Sequence, residues 1–314
     1  MAGIKLFTLN GNVPLAQKIS QELGVPLAPA SVKHFADGEI AIDLDDSVRG
    51  ADVYVIQPIS DPVNENLMEL LIMIDALRRA SAHAINVVVP YYGYARADRK
   101  ARSREPITAK LVANLLTMDG IDRFVAMDLH ADQLQGFFDL PVDHLRAMSL
   151  FAKYFKSLKL GSDNVVVVAP DHSGTKHARA LAELLNTPIA IVDKRSDNGQ
   201  VGVIGHVRGQ HAIIIDDMID TGARVIDATQ ALREAGALDI YAAATHAVLS
   251  RGAATKLGAL DLKQIVLTDT INMPAEKHLP NMKILSVGPM LAEAIKLIST
   301  NQSIHPLFEV NNED

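Results

Sequence analysis

Ile213-Ile214-Ile215-Asp216-Asp217-Met218-Ile219-Asp220-Thr221-Gly222-Ala223-Arg224 is the stretch from which the fold is read. Three consecutive β-branched residues with no polar alternation are the pattern of a strand buried on both faces of a parallel sheet. The run passes into acids, then a Thr-Gly turn, then a helical pattern that continues through Ala235. A strand that feeds a helix in this way puts the Thr221 hydroxyl and the Gly222 backbone where a phosphate meets the helix N-terminus. Gly222 allows close approach. Asp216 and Asp217, just before that cradle, suit the vicinal hydroxyls of a sugar, whereas carboxylates facing phosphates directly need a cation. The plainer alternative is an acidic strand-to-helix turn capped by Thr221.

Outward from this stretch the pattern repeats. Val53-Tyr54-Val55-Ile56, Val87-Val88-Val89-Pro90, Val125-Ala126-Met127-Asp128, residues 165–168 and Ile265-Val266-Leu267 are short apolar runs that finish in polar chemistry. Helical periodicity lies between them, as at residues 66–80, where Leu67, Leu70, Leu71, Ile74 and Leu77 share one face, and at residues 175–185. The alternation predicts α/β domains with mainly parallel sheets and ligands held at the carboxyl ends of strands. Val-Val-Val-Pro at 87–90 is echoed by Val-Val-Ala-Pro at 167–170, and Met-Asp-Leu-His at 127–130 by Ile-Asp-Asp-Met at 215–218. The echo suggests two related domains.

Whole-chain properties narrow the function. With 314 residues, 48% of them hydrophobic, the chain can bury a large core. A net charge of -7 argues against long nucleic-acid tracks, and the absence of cysteine removes disulfides and thiolate metal sites. No apolar run reaches the roughly 20 residues of a membrane span, and no signal-peptide pattern opens the chain. The expectation is a cytoplasmic protein without nucleic-acid or membrane partners.

Three further clusters bear on chemistry. Asp128-Leu129-His130-Ala131 follows an apolar run, so a carboxylate and an imidazole emerge at a strand end, suited to metal, phosphate or loop capping. From Arg96 to Arg104 five basic residues fall in nine positions, a density that matches polyphosphate, with a salt-bridged solvated face or stacking on RNA as alternatives. Asp171-His172-Ser173 lies at a strand-to-helix junction. Its three neighbours give no evidence of triad geometry, and Asp171 is read as a metal or substrate contact. No Gly-Lys-Ser/Thr phosphate loop is present.

Taken in order, Phe35-Ala36-Asp37-Gly38-Glu39, Asn66-Leu67-Met68-Glu69-Leu70, Asp75-Ala76-Leu77-Arg78-Arg79-Ala80, Tyr94-Ala95-Arg96-Ala97-Asp98-Arg99, Asp128-Leu129-His130-Ala131 and the acidic loop at 216–222 resemble the class I ribose-phosphate pyrophosphokinases over virtually the whole chain. The resemblance implies two similar phosphoribosyltransferase-like domains, residues 1–147 and 148–314, with the tail packing back on the first. It further implies ATP and ribose 5-phosphate as substrates, Mg2+ as cofactor, and a homodimer that assembles into a hexamer. By the same resemblance, Phe35, Asp37 and Glu39 reach the nucleotide bound by a neighbouring subunit, and Arg96, Asp98 and Arg99 also serve ATP. His130, Asp171 and Asp128 attend the metal. Asp216, Asp217, Asp220, Thr221, Gly222, Ala223 and Arg224 hold ribose 5-phosphate, and Lys194 and Arg195 are catalytic. Ser47, Arg49, Ser81, Arg102 and Arg104 would form an effector site gathered at a subunit interface.

Three departures stand out. The family usually carries Arg-Gln-Asp where this chain has Arg96-Ala97-Asp98, and Lys-Arg-Arg where it has Lys194-Arg195-Ser196. The loop after Asp171 reads His172-Ser173-Gly174-Thr175-Lys176 in place of a more glycine-rich and apolar one. A catalytically weakened regulatory homologue is therefore the competing class, and a phosphoribosyltransferase the enzymatic alternative.

Overall fold

The computed structural model describes residues 3–161, 164–193 and 201–308, which form two units. One gathers residues up to 145 together with 270–272 and 286–308; the other holds 146–269 and 273–285. Lys194, Arg195 and Ser196 lie outside the described residues.

The first unit is built on five parallel strands in the order β1 (Ile4–Thr8), β4 (Asp52–Ile56), β5 (Ala84–Val89), β6 (Arg123–Met127) and β7 (Val142–Leu145). The β-branched runs do form strands, and their pleat sends Val53, Val55, Val87 and Val89 to one face against α2 (Val63–Arg79) and α3 (Thr108–Asp119). Leu70, Met73, Ile74 and Leu77 of α2 are buried there, each contributing roughly 1.5–3 kcal/mol. The buried face of α2 is broader than its leucine pattern, because Asn66 and Glu69 are also buried while Leu67 and Leu71 are only partly covered. Glu65 in the first turn and Arg78 and Arg79 in the last complement the helix dipole.

Helix α1 (Val13–Leu23) begins at Asn12, whose side chain accepts the Leu15 amide at 3.2 Å, and ends at left-handed Gly24. It packs along α8 (Gly288–Ser299). An antiparallel hairpin, β2 (Ala30–His34) and β3 (Ile40–Leu44), rests on α2 through partly buried Val32, Ile42 and Leu44.

The second unit has seven strands in the order β10 (Gly202–Ile204), β9 (Ile189–Asp193), β8 (Val165–Ala169), β11 (His211–Ile219), β12 (Ile240–Ala247), β13 (Gln264–Thr268) and β14 (Met282–Leu285). Only β10 is antiparallel to its neighbour. Helices α6 (Ala223–Glu234) and α7 (Ala253–Gly258) cover the face bearing Val166, Val168, Ile214 and Ala242. Helix α5 (Thr175–Leu185) spans the residues read from the sequence, lies against β8 and β11, and packs with α4 (Met148–Ser157). From β8 the chain moves outward to β9, then returns to add β11 on the other side of β8, so the direction of winding reverses between β8 and β11. The sequence echo falls on adjacent strand pairs in both sheets, β5 with β6 and β8 with β11.

The turn after β5 admits no side chain at Gly93, where a Cβ would lie 2.4 Å from the Ile59 carbonyl oxygen. Gly93→Ala should therefore destabilise the protein by about 1–3 kcal/mol, measured as a fall in the denaturant midpoint at unchanged slope.

Candidate active site

The reversal between β8 and β11 opens a crevice at their carboxyl ends, the position where open α/β sheets bind ligands. β11 pairs with β8 only as far as Ile214 with Val168, but with β12 as far as Ile219 with Ala247. Asp216 and Asp217 are thus inside the strand, which runs on to Ile219, and both are buried. The Asp217 amide donates to Asp216 Oδ1 at 3.0 Å.

Across the crevice, Asp171 follows β8. Its Oδ1 accepts from the Ser173 amide at 2.8 Å, the Ser173 hydroxyl at 2.5 Å and the Gly174 amide at 3.2 Å, which caps a single 3-10 turn ahead of α5. The Ser173 hydroxyl therefore serves Asp171, while His172 Nε2 faces Asp193 Oδ1 at 3.2 Å, so no nucleophile–base pair exists here. Arg224, in the first turn of α6, bridges the crevice, with Nε 3.1 Å from Asp171 Oδ2 and a terminal nitrogen 3.1 Å from Asp216 Oδ2.

Two carboxylates thus share one guanidinium, and the proton affinities of Asp171 and Asp216 diverge. Burial pushes Asp216 up, Asp217 adds to it, and Arg224 only partly opposes them, leaving Asp216 at about 7. Burial also raises Asp171, but the Ser173 hydrogen bond and Arg224 outweigh it and hold that carboxyl below the usual range. Excess negative charge on hard oxygen donors fits a divalent cation such as Mg2+.

The loop from Asp220 to α6 is pinned from the side. Ser250 donates its hydroxyl to Asp220 Oδ1 and its amide to the Asp220 carbonyl at 3.1 Å, and the Leu249 amide donates to the Ile219 carbonyl at 2.9 Å. Gly222 has φ 78, a left-handed conformation that begins α6, and a Cβ there would lie 3.4 Å from Leu257. Asp220 and Thr221 are half-buried, Gly222 is buried, and Ala223 and Arg224 are exposed.

In the first unit, the loops after β5 and β6 leave the same edge of the sheet. Asp128 is buried with φ 33 and donates its amide to the Leu145 carbonyl at 2.9 Å; the next amide, of Leu129, donates to His144 Nε2 at 2.8 Å. His130, two residues past this left-handed turn, is half-buried. Gln133 Nε2 reaches Asp98 Oδ2 at 2.9 Å, joining this loop to the basic one. Arg96, Arg99, Lys100, Arg102 and Arg104 are exposed, and the loop is fixed by Glu105 Oε2, which accepts the Ala101 and Arg102 amides at 2.9 Å. Phe137 and Phe138 pack into the core.

The segment 35–39 is the tip of the β2–β3 hairpin, closed by the Phe35 amide to the Glu39 carbonyl at 2.8 Å. Phe35 is 55% exposed, with Asp37 and Glu39 also in solvent. The effector residues are divided. Ser47, Arg49 and Ser81 sit before β4 and β5, joined by the Gly50 amide to the Ser81 carbonyl at 2.9 Å, whereas Arg102 and Arg104 follow the opposite end of β5. Sequence reading missed one cluster altogether: His34, Glu65 and Glu69 have ligand-type atoms within 4.8 Å of one another. The 65/69 spacing on a helix was its only available signal.

A sheet covered on both faces, with a reversal of winding and an acidic strand running into a helix start, defines a doubly wound α/β protein with its ligand crevice at the strand ends. The chain belongs to the ribose-phosphate pyrophosphokinase family, since residues 4–120 match the N-terminal domain of ribose phosphate pyrophosphokinase and residues 195–309 the phosphoribosyl synthetase-associated domain. It is 52% identical over 314 residues to ribose-phosphate pyrophosphokinase 2 of Enterococcus faecalis, spanning 99% of this chain and 97% of that one. Identity is also 52%, over 309 residues, to a ribose-phosphate pyrophosphokinase of Fusobacterium nucleatum, spanning 97% and 98%. The crystal structure of phosphoribosylpyrophosphate synthetase from Mycobacterium smegmatis superposes with a TM-score of 0.91 at 42% identity, covering 95% of this chain and 99% of that one. The resemblance read from the motifs is borne out, and the chain is an enzyme of the transferase class.

The raised Asp216 makes a signed prediction. Folded protein keeps a proton that the unfolded chain releases near 3.8, so stability should fall as pH rises from about 4 to 7. Asp216→Asn should abolish this part of the drift, gaining on the wild type across that window in denaturant midpoints taken at successive pH values. Mg2+ should flatten the wild-type drift, by favouring the ionised carboxylate, and leave the variant's curve unmoved.

Proposed function

We propose that the chain transfers the β,γ-diphosphate of ATP to the 1-hydroxyl of ribose 5-phosphate, giving phosphoribosyl pyrophosphate and AMP, as a Mg2+-dependent cytoplasmic enzyme. The observation that carries this reading is the crevice between β8 and β11, where buried acids precede a left-handed glycine and a helix start. In the reaction the ribose O1 bonds to the β-phosphorus, the bond from that phosphorus to the α,β-bridging oxygen breaks, AMP leaves with that oxygen, and the hydroxyl proton passes to water.

Asp216 and Asp217 accept hydrogen bonds from the sugar hydroxyls, and the loop 220–224 surrounds the 5-phosphate at the N-terminus of α6. Arg96 and Arg99 meet ATP phosphates, with Asp98 oriented by Gln133. Phe35 stacks on adenine, with Asp37 and Glu39 at the base, in a neighbouring subunit. Asp171 on the sugar side and His130 on the nucleotide side attend Mg2+, which when bound screens phosphate charge and supplies electrophilic stabilisation. Lys194 and Arg195 supply cationic stabilisation of the transferring group.

A homodimer assembling into a hexamer is part of the same reading. Ile107, Leu111, Leu115 and Met118 recur along the outer side of α3 and its start, and Met118 is 80% exposed. A second copy of the chain covers this stripe, just as a second copy's nucleotide covers Phe35. The effector residues at opposite sheet edges are completed by the same assembly.

AMP release that depends strictly on both ATP and ribose 5-phosphate tests the reaction; no release under saturating Mg2+ would defeat it and favour a regulatory homologue. Asp220→Ala and Thr221→Val should weaken ribose 5-phosphate binding about tenfold and ATP binding much less, the loss of roughly one hydrogen bond to a charged group, read by separate calorimetric titrations. Leu111→Glu combined with Met118→Glu should shift sedimentation to smaller species and lower activity with it.

A further inference from the structure

His34 is the last residue of β2, next to the exposed tip at 35–39. Its two ring nitrogens face two different carboxylates one helical turn apart on α2: Nδ1 lies 3.3 Å from Glu65 Oε1 and Nε2 lies 3.1 Å from Glu69 Oε1. Nε2 is within hydrogen-bond distance of Glu69 and Nδ1 faces Glu65, so one ring bridges two carboxylates of α2.

The two anions differ. Glu65 stands in solvent, but the Glu69 side chain is 1% exposed. Glu69 Oε2 accepts the Asn10 amide at 3.1 Å and Gln57 Nε2 at 3.0 Å, and Oε1 accepts Asn10 Nδ2 at 2.7 Å. Gln57 in turn accepts the Gly11 amide at 2.9 Å and donates to Asn66 Oδ1 at 3.1 Å, while Asn66 Nδ2 donates to the Ser60 carbonyl at 2.9 Å. This network stands at the carboxyl ends of β1 and β4, so Glu69 is a rigid anchor for the imidazole that meets it.

A metal ion is the rival reading of the same three side chains. It would take one ring nitrogen, not two, and would compete for Glu69 oxygens that already accept three hydrogen bonds besides His34. We infer that His34 is a positioning residue, a strap by which α2 holds the base of the β2–β3 hairpin and so sets where Phe35, Asp37 and Glu39 are presented. The inference rests on the proposed role of those three residues in binding ATP.

Val32, Ile42 and Leu44 still pack the hairpin on α2 when the strap is cut, so the hairpin should loosen without the unit unfolding. In His34→Ala, amides of residues 30–44 should exchange with deuterium faster than in the wild type, and KM for ATP should rise about tenfold, the scale of one lost charged hydrogen bond. The kcat and the KM for ribose 5-phosphate should stay near wild type. His34→Arg should restore both readouts, because a guanidinium fork can reach both carboxylates. Glu65→Gln, a surface change that leaves Glu69 paired, should give a smaller shift in the same direction and keeps the test available if His34→Ala folds poorly. Unchanged exchange at 30–44 in both variants would overturn the strap whatever the kinetics. Faster exchange with an unmoved ATP KM would overturn the positioning role and trace the failure to the ATP assignment of the tip. Zn2+ binding in calorimetry that Glu65→Gln abolishes would replace the strap with a metal site.

Discussion

Two parallel strands that lie side by side need not end at the same height, and the chemistry of this protein hangs on one such mismatch. β8 stops pairing with β11 at Ile214 and turns away through Pro170 and Asp171, while β11 continues beside β12 to Ile219. Residues 215–219 are held straight by one neighbour and left open toward the other. Buried carboxylates can be tolerated at such an edge because the opposite wall supplies partners: Arg224 spans from Asp216 to Asp171, and the Ser173 and Gly174 donors hold Asp171 in turn. Burial at this edge, with Asp217 beside it, raises Asp216.

The first unit solves a different problem with the same materials. Its five strands follow one another across the sheet without a reversal, so no crevice opens between two of them. Its chemistry-bearing residues instead stand on loops after β5 and β6 and on a hairpin that leaves the sheet. Each is fixed by backbone donors or a buried partner. Asp128 turns left-handed two residues before His130, Glu105 gathers two amides of the basic loop, and Glu69 meets His34 at the base of the hairpin. The exposed Phe35 and the apolar stripe on α3 are surfaces that a single chain leaves facing water.

Net charge and local charge point in opposite directions here. The chain carries -7 overall, yet five basic residues project from residues 96–104 into solvent. A field of that kind attracts a compact polyanion to one place without holding a long one along the surface.

Much of this was legible in the residues themselves. Buried strands declare themselves by unbroken β-branched runs, helix α5 by its periodicity, and the strand-to-helix turn by Asp-Thr-Gly, because each depends on contacts within a few positions. The order of motifs from Phe35 to Gly222 was enough to name the family. What the sequence could not reveal depends on which neighbour a residue meets. The strand through Asp216 and Asp217 runs on to Ile219 only because β12 extends beside it. Asn66 and Glu69, outside the leucine face legible in the sequence, are buried where the loops after β1 and β4 meet them. Arg224 bridges two aspartates 53 and 8 positions away, and His34 meets carboxylates 31 and 35 positions away. Local propensity and periodicity are written in adjacent residues, whereas the pairing of buried charge is settled by strand order and strand length, which only the folded chain contains.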